Sequence, residues 1–85
     1  MERKLIRELM HASQSETALG YMLDEFRELI KTDIVLPDVL CTDAMDKKFE
    51  DMYAKAKELD GLLMSIMHDV YSTRMKIMKE MEGCE

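Results

Sequence analysis

Proline occurs once in the 85 residues, glycine three times and tryptophan not at all. With Leu, Met, Glu, Lys and Ala abundant, that scarcity of chain-breaking residues points to helix. Cysteine is nearly as scarce. Cys41 and Cys84 cannot build a disulfide framework, so reduced thiols and a cytoplasmic setting are expected. No apolar run approaches the ~20 residues that a membrane span needs, and the charged N-terminus has no apolar core of the signal-peptide kind. Apolar residues nevertheless make up 47% of the chain, too many for a disordered tail. At this length a single small helical domain, residues 1–85, is expected, with a modest core that a partner or a second copy would complete.

Net charge is −6 and uneven. Residues 1–23 carry three acids and three bases, residues 24–60 eleven acids and six bases, and residues 61–85 four acids and three bases. An acidic middle repels phosphate backbones, so direct nucleic-acid binding is not expected. The bases at Arg3, Lys4 and Arg7 read as a solvated helix face.

Two long heptad runs dominate what is present. Leu5, Leu9, Ala12, Glu16, Leu19, Leu23, Phe26 and Ile30 follow one another at steps of four and three. Met45, Phe49, Met52, Ala56, Leu59, Leu63, Ile66 and Val70 do the same. The spacing predicts helices over about 2–31 and 43–82, with Met22 and Leu29 widening the first stripe toward a bundle face. Two interruptions are conceivable. Ser13-Gln14-Ser15-Glu16 fits a capping box, and Asp60-Gly61 fits a turn. The heptads run straight through both, which favours continuous helices. Thr42 or Asp43 is the expected N-cap of the second helix, and Gly83 a natural stop.

Between the helices, residues 32–42 form a connector in which Pro37 removes a backbone donor. Ile34, Val35, Leu36, Val39 and Leu40 make it unusually apolar, so it is expected to close one end of the bundle, with a partner-docking loop as the functional alternative. Beyond Val70 the seam is expected to drift, because Thr73 and Glu80 occupy the old register. The apolar residues move to Met64, Met67, Tyr71, Met75 and Met78, with Ile77 and Met81 nearby. The fold class is therefore all-α: a long antiparallel hairpin of helices roughly 45 Å and 60 Å long. A lone hairpin leaves its flanking Met, Leu and Tyr residues wet, so two copies are expected to pair into a four-helix bundle.

Signals for chemistry are thin. Glu8 and His11 have the Glu-x-x-His spacing of helical di-metal sites, but a second copy is missing. Cys41, Cys84, His11 and His68 lie too far apart for a zinc tetrad built from close pairs. No serine has a nucleophile-elbow setting, and the glycines make no phosphate-cradling loop. Glu25 and Glu28, followed by Asp43 and Asp46, are carboxylates at i, i+3 on neighbouring helices, a pattern that can hold Mg²⁺ against phosphates. Over these two short motifs the chain resembles the all-α nucleoside triphosphate pyrophosphohydrolases, departing from them in having aspartates at both second-motif positions. The resemblance implies a Mg²⁺-dependent nucleotide hydrolase. The heptad register, however, puts Glu25, Glu28 and Asp43 on the outer face.

Ten methionines are the remaining peculiarity, five of them at positions 64, 67, 75, 78 and 81. Flexible, polarizable Met side chains suit a core seam, a dimer seam or a surface that adapts to a partner. The expected function is protein binding, as a homodimeric adaptor, inhibitor or regulatory subunit, without enzymatic activity, cofactor or metal. Leu36, Val39 and Leu40 of the connector and Met64, Met67, Tyr71, Met75, Met78 and Met81 of the second helix are the expected contacts. An oligomer that sequesters a small ligand, with Glu16 and Tyr21 lining a pocket between subunits, is the third alternative.

Overall fold

Two helices, α1 (Arg3–Ile30) and α2 (Asp43–Gly83), pack against each other as an antiparallel hairpin in the computed structural model, which describes residues 3–83. Among those residues there is no strand, and no helix is long and apolar enough to cross a membrane. The expected start at Glu2 and the residue Cys84 lie outside the described range.

Both helices are continuous. At the suspected capping box, Thr17 Oγ1 donates to the Ser13 carbonyl at 3.1 Å and Ser15 Oγ to the His11 carbonyl at 2.8 Å. These hydroxyls bond back along the helix instead of opening a new N-terminus. Gly61 lies inside α2, and a Cβ built there would meet nothing within 4 Å. α1 ends where Lys31 and Thr32 donate to the carbonyls of Glu28 and Leu29. After Pro37, which cannot continue a hydrogen-bonded ladder, Asp38–Leu40 form a single 3-10 turn. Thr42 then caps α2: its Oγ1 accepts from the Met45 N–H at 3.2 Å, and its carbonyl from the Asp46 N–H at 3.0 Å.

The interface is a single seam. On α1 all eight heptad residues from Leu5 to Ile30 are buried or half-buried, Ala12 and Leu23 most deeply. On α2 the seam runs through Ala56, Asp60, Leu63, Met67, Val70, Arg74, Ile77 and Met81, each buried or half-buried. Of the eight residues expected on α2, Met45, Phe49, Ala56, Leu63 and Val70 are buried or half-buried, and three are not. Leu59 and Ile66 sit one residue short of the seam, 46% and 47% exposed, and Met52 is 40% exposed. The seam also does not drift after Val70; it continues in the same steps to Met81. Two ion pairs form in this register. Glu16 and Arg27 of α1 face Arg74 and Asp60 of α2.

α2 is 41 residues long and α1 only 28, and with Arg27 level with Asp60 the surplus falls at the N-terminal end of α2. That surplus is about 20 Å at 1.5 Å per residue. The connector spans it, but not as a lid. Leu36 is half-buried, whereas Val35 is 94% and Val39 81% exposed. An extended connector beside a single helix has no second layer to bury against. The same shortage runs through the molecule: Ala12, Leu23, Leu63 and Ile77 are its only buried apolar residues among those described, and no side chain is fully enclosed.

Candidate interaction surface

The seam divides the hairpin into two flanks. In antiparallel helices, residues one step after a seam position lie on one flank, and residues one step before it on the other. Arg27 and Met64 each follow a seam residue, and their side chains meet, Nη2 to Sδ, at 3.4 Å. Glu8, Ser15 and Thr73 each precede one, and they line a common groove of about 230 Å³ with His11, Asp69 and Ile77.

Met64, Tyr71, Met75 and Met78 all fall on the first flank, 52%, 48%, 42% and 37% exposed. α1 adds Ile6 and Met10 to it near the open end of the hairpin. Two arginines fasten this flank to the seam. Arg27 grips Asp60 through two bonds, Nε to Oδ2 at 2.8 Å and Nη2 to Oδ1 at 3.1 Å, while touching Met64. Such forked geometry fixes orientation as well as distance. The hydrogen bonds from Arg27 hold the Asp60 carboxyl below its ordinary value, and Asp60 in turn raises the Arg27 guanidinium. Arg74 donates from Nε to Glu16 Oε1 at 2.7 Å and from Nη1 to Met78 Sδ at 3.4 Å. Its guanidinium also lies 5.3 Å from the centre of the Tyr71 ring, within cation–π range. The methionine flank is thus exposed, but its Met64, Tyr71 and Met78 are tethered through charged groups that are themselves paired.

The second flank has different residues. Leu59, Leu62 and Ile66 of α2 precede seam positions, as do Met22 and Leu29 of α1; Met52 lies one heptad before Leu59 on the same side, and all six are exposed. Met22 is level with Ile66 and Leu29 with Leu59, given the pairing of Arg27 with Asp60. This leucine flank was not among the contacts expected from the sequence. Leu59 and Ile66 passed for seam residues there, and Met22 and Leu29 only for a widening of the stripe.

The remaining expected sites disperse. Met67 and Met81 are half-buried in the seam, facing α1. Val39 and Leu40 are exposed, but in the connector, at the end of the hairpin away from Met78. Glu16 is engaged with Arg74, while Tyr21 is 69% exposed on the outer side of α1. Asp43 and Asp46 border a groove of about 420 Å³ with Lys47 and Glu50 on the first turns of α2. Glu25 and Glu28 are exposed on α1 and do not line it. Among the described residues, no three His, Cys, Asp or Glu side chains are arranged to hold a metal ion. Where α1 ends, Phe26, Ile30, Tyr53 and Ala56 floor an apolar groove of about 290 Å³ rimmed by Arg27, Lys31, Lys57 and Asp60.

Compared with models of known protein families, with curated proteins and with solved structures, the chain matches none of them.

Proposed function

We propose that this chain acts by binding another protein, as an adaptor, inhibitor or regulatory subunit, and that it contacts its partner through the methionine flank. The observation that carries the reading is the row Met64, Tyr71, Met75 and Met78 on one side of α2, exposed to water and bordered by paired arginines. Met and Tyr contribute large contact areas, adapt to irregular partners and are enriched at interfaces relative to Lys and Glu. Exposed apolar rows of this length are costly in isolation and mark contact sites. The net charge of −6 favours a partner with a neutral or basic surface and disfavours nucleic acid.

The test is a pair of baits presented to a lysate of the native host: the wild-type chain and a Met75→Asp/Met78→Asp variant. A partner retained by the first and lost by the second, with far-UV helicity equal in both, is the expected result. Equal retention by both baits, or no specific partner together with a co-purifying nucleotide, would overturn it.

A further inference from the structure

The leucine flank carries a conclusion of its own. Along it, the row nearest the seam at seven-residue steps, Ser15, Met22 and Leu29 on α1 and Met52, Leu59, Ile66 and Thr73 on α2, bears no charge; Glu25, Lys55 and Asp69 lie on the same flank further from the seam. A two-stranded coil places charged residues at such positions, where they stay in water. An uncharged, mostly apolar row widens the stripe to the width that faces two neighbouring helices, as in a four-helix bundle. The methionine flank breaks that rule, with Glu50 and Lys57 on α2 and Arg27 on α1.

The amount of exposed surface points the same way. The chain leaves 7258 Å² accessible. A folded monomer of 10.0 kDa exposes roughly 5,200 Å² by the usual scaling of surface with mass. The excess, roughly 2,000 Å², falls within the roughly 1,000–2,500 Å² that each copy contributes to an obligate homodimer interface. The radius of gyration, 19.9 Å against roughly 12 Å for a compact chain of this length, reflects the 69 Å length and single-hairpin thickness of the molecule. One layer of helix is missing.

From these observations we infer that a second copy of this chain supplies that layer, packing its own leucine flank against Leu59, Leu62 and Ile66 of α2 and Met22 and Leu29 of α1. Branched aliphatic side chains are suited to such a permanent interface, because their few rotamers interlock into a defined core. Both helices contribute at the same levels, so the face is two helices wide and can be self-complementary about a two-fold axis. The methionine flanks remain outside the bundle, one per copy. The inference rests on the proposed protein-binding role only in leaving the methionine flank free.

Sedimentation equilibrium on the full chain tests it first, with a particle of twice the chain mass expected at micromolar concentration. Leu59→Lys/Ile66→Lys should raise the dimer dissociation constant by at least about 100-fold, as loss of interface anchors does, whereas Met75→Lys should leave it within about threefold, as for an exposed side chain outside an interface. Should the double variant unfold, crosslinking decides. In a Cys41→Ser/Cys84→Ser background, Leu62→Cys should join two copies efficiently with a short bis-maleimide and Met75→Cys should not. A monomer at micromolar concentration, or a dimer that crosslinks through position 75 and not 62, would overturn the inference. A monomer that still loses its partner in Met75→Asp/Met78→Asp would sink only the self-pairing; a dimer through the leucine flank that binds no other protein would sink only the partner role.

Discussion

The two flanks of α2 expose similar numbers of apolar side chains but differ in how those side chains are held. On one, Met64, Tyr71 and Met78 are touched by guanidinium groups that are themselves bound to Asp60 and Glu16 of the seam. On the other, Met52, Leu59, Leu62 and Ile66 are exposed with no such tether. A long helix with one partner can thus carry two unlike surfaces, because the seam occupies only about a third of its circumference and leaves two flanks to be specified separately.

That separation can be broken in graded ways. The largest effect is expected from Leu63→Ala, which empties a buried seam position shared by both flanks. It should destabilise the hairpin by about 2–4 kcal/mol in a urea titration, with both flanks lost in one transition. A two-step transition would show that the halves fold separately.

Arg74→Ala is expected to act on one flank alone. It leaves the half-buried Glu16 carboxylate without its donor and releases Met78 and Tyr71. A loss of about 1–3 kcal/mol is expected, because the pair is only partly screened from water. Replacing both partners, Glu16→Leu/Arg74→Leu, should restore most of that loss. Faster tyrosine side-chain exchange by NMR at Tyr71, with Leu62 methyl signals unmoved, would sharpen the distinction between the flanks.

A smaller change, of opposite sign, is expected at Gly61. A Cβ there meets nothing within 4 Å, so Gly61→Ala should add up to about 1 kcal/mol by removing backbone freedom from the unfolded chain and raising helix propensity. Thermal melts of the two proteins check it, and a loss of stability would reveal a crowding that the open space around Gly61 does not contain.

The smallest effect concerns pH. Arg27 depresses the Asp60 carboxyl from its ordinary value of 3.8. The stability this contributes is present above the unfolded value and is lost as pH falls through the lower folded value. Both groups are at the surface, so the contribution is modest. Asp60→Asn should flatten the acid limb of a stability–pH curve while leaving the limb above neutrality unchanged. An unaltered acid limb would place the dominant carboxylate elsewhere.

Much of the fold could be read from residue spacing. Both helices, the Thr42 cap and the interruption at Pro37 follow from local rules that involve no tertiary partner, while the continuity through Ser13 and Gly61 follows from the unbroken heptad spacing. The α1 seam was legible as well, because that helix has a single apolar stripe flanked mostly by polar residues. The connector was misread: its apolar content indicated burial, and no second layer stands beside it to bury Val35 or Val39. For the surface, four of the methionine-flank residues were legible as a departure from the heptad. The leucine flank was hidden because Met52, Leu59 and Ile66 fit the heptad spacing and Met22 and Leu29 widened the α1 stripe.

By itself, then, the sequence determined two helices, their ends, their antiparallel order and the face that α1 turns inward, since each depends on propensity, capping and a one-stripe pattern. Only the tertiary structure decided which stripe of α2 meets that face. α2 is apolar over a broad arc, so Met52–Leu59–Ile66 and Ala56–Leu63–Met67 are nearly equivalent to a count of hydrophobic residues. The polar residues favour the observed choice: it pairs the half-buried Glu16 with Arg74 and the exposed Arg27 with Asp60, and a half-buried carboxylate left without its donor costs more than one exposed leucine.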